Sequence, residues 1–138
     1  MKGEDISCRL RDFGRSIMRL VRDLPDDVGG KHIARQLFRS GTGGGANYEE
    51  ARGAESRRDF AHKCNVAAKE MRESHYWLSL LDDDEFSGRH RITDLLREAN
   101  ELVAILTASA KTARTRESWS RSQRPTANPD GQSDSHSH

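Results

Sequence analysis

The chain has 138 residues, apolar and charged types each make up 33% of it, and its mean hydropathy is −0.90. That length suits one domain able to bury roughly two thirds of the surface its unfolded form exposes, and the composition suits exposed helices together with a polar, unstructured segment. Lys and Arg (23) nearly balance Asp and Glu (22), which excludes a strong overall field for nucleic acid or an anionic membrane, and no apolar run approaches the length of a membrane span or a signal peptide.

The first predicted helix carries Ile6, Leu10, Phe13, Ile17, Leu20 and Leu24 at alternating spacings of four and three, a heptad seam that Val21 widens. Glu4 or Asp5 suits its start by charge, and Pro25 stops it. The stretch PDDVGGK reads as a turn.

A second helical pattern begins near Lys31, with Ile33, Ala34, Leu37 and Phe38 on one side and Arg35 and Arg39 off it. Gly41, Gly43, Gly44 and Gly45 follow almost consecutively. Each interior glycine costs a helix about 1 kcal/mol relative to alanine, so the spacing predicts a weakened or kinked segment, or close packing past residues without side chains. No lysine follows these glycines as a phosphate cradle requires, and no strand precedes them as a dinucleotide site requires.

The longest uninterrupted period runs over residues 59–81, after Ser56 as N-cap. Phe60, Cys64, Ala67, Ala68, Met71, Trp77, Leu78 and Leu81 form its stripe, and the acidic run from Asp82 to Glu85 ends it, because carboxylates oppose the dipole there. A last helix starts at Thr93 or a neighbour, with Ile92, Leu95, Leu96, Ala99, Leu102, Val103, Leu106, Ala110 and Ala113 in period. From Thr115 the apolar pattern stops, with Trp119 the only large apolar residue and a closing Ser-His-Ser-His. Residues 1–114 are thus expected to form an all-α, antiparallel up-down-up-down four-helix bundle, and residues 115–138 a disordered tail.

Little in the chain favours catalysis. A di-metal bundle needs two Glu-x-x-His pairs, and the nearest match, Asp59 with His62, has no second copy. Cys64 lies on an apolar stripe, where burial makes a thiol inert, and His75 is three turns away. Cys8 and Cys64 read as reduced thiols of a cytoplasmic protein, with a disulfide between neighbouring helices as the alternative. The expectation is a non-enzyme with no metal, no cofactor and no small-molecule substrate.

Binding is better served. Arg11, Arg15, Arg19 and Arg22 recur at helical spacing on the side away from the first seam, and Arg35 and Arg39 add to them, as RNA or DNA phosphates would require. A solvated, salt-bridged face is the competing reading. Tyr48, Tyr76, Trp77 and Phe86 are large for a narrow bundle and are of the types that anchor subunit interfaces, unless Trp77 and Phe86 cap the core of one chain. Glu49, Glu50, Glu70 and Glu73 are expected to pair with arginines, or to bond Asn47 and Tyr48 between helices.

The phrases RSGTGGGANYEEARGAESRRDF, AAKEMRESHYWLSLL and LLREANELVAILTASAKTAR together resemble the bacterial family known as four helix bundle proteins, related to proteins encoded by intervening sequences in 23S ribosomal RNA genes. The likeness covers roughly residues 6–114. It implies a left-handed bundle assembled as a ring, commonly a homopentamer, with no established activity for most members. A similar bundle is the accessory protein of diversity-generating retroelements, a basic pentamer that engages a reverse transcriptase and nucleic acid. The resemblance also places Asn47, Glu50 and Glu73 on positions where the family carries the same polar types. At Gly43 and Gly44 this chain departs from it, where a serine and an aliphatic residue are usual. The function expected is that of a self-assembling scaffold or adaptor, with an RNA- or DNA-binding accessory protein as the alternative.

Overall fold

In α1 (Gly3–Arg22) the expected seam is the buried one: Ile6, Leu10, Phe13, Ile17 and Leu20 are all within 3% of full burial. Each such side chain contributes about 1.5–3 kcal/mol when taken out of water. Glu4 and Asp5 occupy the first turn, where the dipole favours them, and Asp5 accepts a hydrogen bond from the Lys2 backbone N–H at 3.2 Å. The computed structural model describes residues 1–84 and 92–123.

The chain reverses over Pro25, Asp26 and Asp27, and α2 (Val28–Arg52) begins three residues before the expected Lys31. Asp27 is the reason: its carboxylate accepts from the Gly30 N–H at 2.8 Å and caps the helix. Gly30 packs so close to the Pro25 carbonyl that any Cβ there would collide with it. Val28, Gly29 and Gly30 are thus helix, where the sequence pattern suggested turn.

The expected weakening at Gly41–Gly45 does not interrupt α2, which runs unbroken to Arg52. Its glycines are the points of closest approach: a Cβ on Gly41 would lie 2.8 Å from both Cγ atoms of Ile17, and one on Gly44 would occupy the space of Met71 Cε. Contact across the seams offsets the propensity cost of glycine. Between α2 and α3 (Arg57–Asp83), Ser40 and Ser74 are completely buried and share a hydrogen bond of 2.8 Å. A hydroxyl buried without such a partner costs about 1–3 kcal/mol, so the two serines require each other.

Ser56 caps α3 as expected, accepting from the Asp59 N–H at 3.0 Å. Cys64, Ala67, Ala68, Met71, Leu78 and Leu81 form its buried stripe together with Ala61 and Ser74, while Phe60 and Trp77 are only half-buried. The helix keeps Asp82 and Asp83 before Asp84 caps it; Glu85, Phe86, Ser87 and Gly88 lie outside the described residues.

The boundary expected after Arg114 is corrected by α4 (Ile92–Gln123). Its last turns need no apolar stripe, since Glu117 pairs with Arg121 one turn on at 3.6 Å and Ser120 accepts a hydrogen bond from Arg57 of α3 at 3.4 Å. Residues 124–138, with the Ser-His-Ser-His end, lie outside the described residues.

Each helix packs along the next, antiparallel, with α1 diagonal to α3, and the described residues contain no strand. The α1–α4 pair closes the square over a much shorter stretch, tied by Arg9 to Glu98 and Glu101. No described helix is long and apolar enough to cross a membrane.

Candidate functional site

The α1 arginine row is solvent-facing throughout. Arg11, Arg15, Arg19, Arg22 and, on α2, Arg35 are all exposed. Among the described residues none of these five lies within ion-pair distance of a carboxylate. The salt-bridged arginine of α1 is instead Arg9, on the α4 side: it grips Glu98 with two guanidinium nitrogens and reaches Glu101 at 2.6 Å. The bond to Glu98 raises its pKa further, so it stays charged at any working pH.

Arg11, Arg15 and Met18 line a shallow groove of about 520 Å³ with Thr42, Gly45 and Ala46 of α2. Small residues on the α2 wall make the groove. Met18 (37% exposed) and Phe38 (46% exposed) are large apolar side chains left in solvent on α1 and α2. The sequence pattern put Phe38 on the core side; it directly follows Leu37, and neighbours 100° apart on a helix cannot both take its centre.

Arg39 does not join this row. It bonds Glu73 and approaches Glu70 at 3.5 Å, both on α3. The Glu73 bond raises the Arg39 pKa, and burial raises that of the Glu70 carboxyl against the pull of Arg39. Glu70 is half-buried where it crosses Gly43, whose missing Cβ would lie 2.9 Å from its Oε2.

Asn47, Glu50 and Glu73 make three separate contacts. Asn47 donates to the Gly43 carbonyl at 2.8 Å within α2, Glu50 pairs with Lys63 of α3 at 3.6 Å, and Glu73 holds Arg39 and accepts from Trp77 Nε1 at 3.4 Å. The aromatic residues divide as well. Tyr48 is 2% exposed, which leaves almost none of it for a neighbouring chain. Trp77 is half-buried, edge-on to His32 at 5.5 Å and to Tyr76 at 5.0 Å, and Tyr76 is 54% exposed on α3.

Both cysteines are free: Cys8 is exposed, and burial pushes the Cys64 thiol up to about 11. Among the described residues no three His, Cys, Asp or Glu side chains gather as a metal would need. Of what sequence spacing missed, the Arg9 tie left no local signal, since its acids lie some ninety positions away.

No curated protein is significantly similar to the chain. A solved structure from Bacteroides thetaiotaomicron VPI-5482, described as a protein of unknown function from the S23 ribosomal protein family, is 34% identical. It superposes with a TM-score of 0.69 over 80% of this chain and 99% of its own. Residues 5–108 match the family described as 23S rRNA-intervening sequence protein, and with that span, this fold and that relative, the chain belongs to this family.

Proposed function

We propose that the protein is a non-enzymatic, cytoplasmic scaffold or adaptor that assembles into a ring of identical chains, five of them as the family likeness implies. The observation that carries this reading is the pairing of Met18 and Phe38, exposed on α1 and α2, with Tyr76, exposed on α3 across the bundle from α1. Apolar patches on different sides of one chain make a heterologous contact, and a heterologous contact repeated by rotation closes a ring. Light scattering at micromolar concentration is expected to give about five times the 15.6 kDa of one chain. Phe38→Glu or Tyr76→Glu should return a folded single chain. A wild-type mass of one chain removes the reading.

The five unpaired arginines favour a second reading, an RNA- or DNA-binding accessory protein that works beside a nucleic-acid enzyme. Arg11, Arg15, Arg19, Arg22 and Arg35 would contact phosphates, and a ring would repeat the row and add avidity. Retention on heparin at low salt, lost at moderate salt and lost altogether in Arg11→Glu/Arg15→Glu, is the expected behaviour. Flow-through of the wild type at low salt rejects it.

A further inference from the structure

Antiparallel to α4 and tied to it at Arg9, α1 starts at Gly3 and leaves the last turns of α4 without a neighbour on that side among the described residues. The space is a cleft of about 940 Å³ between the start of α1, the α2–α3 connection and α4, within the size range of small-molecule sites. Its floor is apolar: Ile6, Ala51, Phe60, Ile105, Ala108 and Ala113. Its rim carries Arg52, Arg57 and Arg116 against a single acid, Glu55. Arg52 is engaged by Ser7 at 2.9 Å and Glu49 at 3.7 Å, whereas Arg57 has only Ser120, and Arg116 meets no described partner. The N-termini of α1 and α3 both end here, and their dipoles add positive potential at the same mouth.

At the bottom is Tyr48. Its side chain is 98% buried by the 2% that remains exposed, it lines the cleft, and its hydroxyl has no hydrogen-bond partner among the described residues. No buried side-chain nitrogen or oxygen among the described residues lacks a hydrogen-bond partner, so this hydroxyl, which bonds none of them, opens into the cleft and can donate to something that enters. Burial raises its pKa, which keeps the proton on. Gly3 leaves the approach open: a Cβ there would lie 3.2 Å from the hydroxyl oxygen and 3.9 Å from Arg52 Nε.

We propose that this cleft binds a small anionic amphiphile, a carboxylate on an aliphatic or aromatic body. The body lies on the Ile6–Phe60–Ile105 floor, and the carboxylate accepts from the Tyr48 hydroxyl and takes its charge partner from Arg116 and Arg57.

Decanoate is the probe, titrated by calorimetry into the full-length protein, with circular dichroism as the check that each variant is folded. Saturable binding of one decanoate per chain is expected. Tyr48→Phe, which keeps the ring and removes only the hydroxyl, should weaken it about fivefold or more. Arg116→Ala, on the surface, should weaken it about tenfold, as loss of a charge-assisted contact does. Gly3→Leu should abolish it, and the uncharged decanol should bind at least about tenfold more weakly than decanoate. Absence of saturable binding below about 1 mM overturns the proposal. So does decanol binding as tightly as decanoate, or unchanged affinity in folded Tyr48→Phe and Gly3→Leu.

Discussion

The two seams that flank α1 are built on opposite plans. Against α2, the helix axes are drawn together by the absence of side chains: Ile17 rests on the bare backbone of Gly41, and Gly14 and Gly45 continue the same approach. Against α4, the contact is made by long charged groups, Arg9 reaching Glu98 and Glu101, and it stops where α1 stops. Dispersion falls off within an ångström of its optimum, so a glycine seam draws the two backbones together with only a shallow groove above it, while a charged tie fixes one point and leaves the larger space beside it. The tight seam is therefore where the fold is stabilised, and the loose one is where the cleft is.

This difference makes the seams respond unequally to mutation. Gly41→Val is expected to be the most damaging change, about 3 kcal/mol or more by denaturant unfolding. Ile17 is stiff at χ1 and completely buried, so the helices themselves must separate. Next is the serine pair: Ser40→Ala alone should cost about 2 kcal/mol by stranding the Ser74 hydroxyl, and Ser40→Ala/Ser74→Ala should recover most of it. A double-mutant cycle that comes out additive would show that the hydroxyls do not need each other. Arg9→Ala should cost less, about 1 kcal/mol or under, since about a third of Arg9 and Glu98 and half of Glu101 are in solvent. If it equals Gly41→Val, the loose seam is not loose.

Two finer measurements follow. Glu70 has a folded pKa raised by burial above its ordinary 4.5, so the folded state holds the proton more tightly than the unfolded one. The stability this contributes is present below 4.5 and is lost as pH rises through the raised value. Glu70→Gln should therefore flatten the fall in stability between mildly acidic and neutral pH; an unchanged slope would assign that fall to other groups. Alkylation separates the thiols: native protein should take one iodoacetamide adduct, at exposed Cys8, and a second at Cys64 only on unfolding.

Much of the architecture was legible because it rests on short periods. The spacing of Ile6, Leu10, Phe13, Ile17 and Leu20 specifies a buried stripe without knowledge of what covers it, and Ser56 and Asp59 meet as a local cap in the order the chain gives them. What was not legible depends on partners distant in sequence. The glycines of α2 read either as weak points or as places of close packing, and only Ile17 and Met71 lying against them decide for packing. Ser40 and Ser74 stand 34 positions apart, and no local pattern around either one marks the pair. Arg39 looks like one more member of a basic row, and only the fold reveals that α3 holds it while Arg11 and Arg15 go free. Tyr48 looked like an interface anchor because aromatic size is visible in a sequence and burial is not.

The contact of Met71 with Gly44 also sets an order on how this protein can change over generations. A larger residue at 44 displaces the end of the Met71 side chain, which is flexible but completely buried and must repack to make room. Shortening position 71 first leaves only a void, which a later gain of a methyl or isopropyl group at 44 can fill. Lineages that trade this glycine for an aliphatic residue should thus more often have passed through the smaller partner, and resurrecting both intermediates should show the one that enlarges position 44 first to be the less stable.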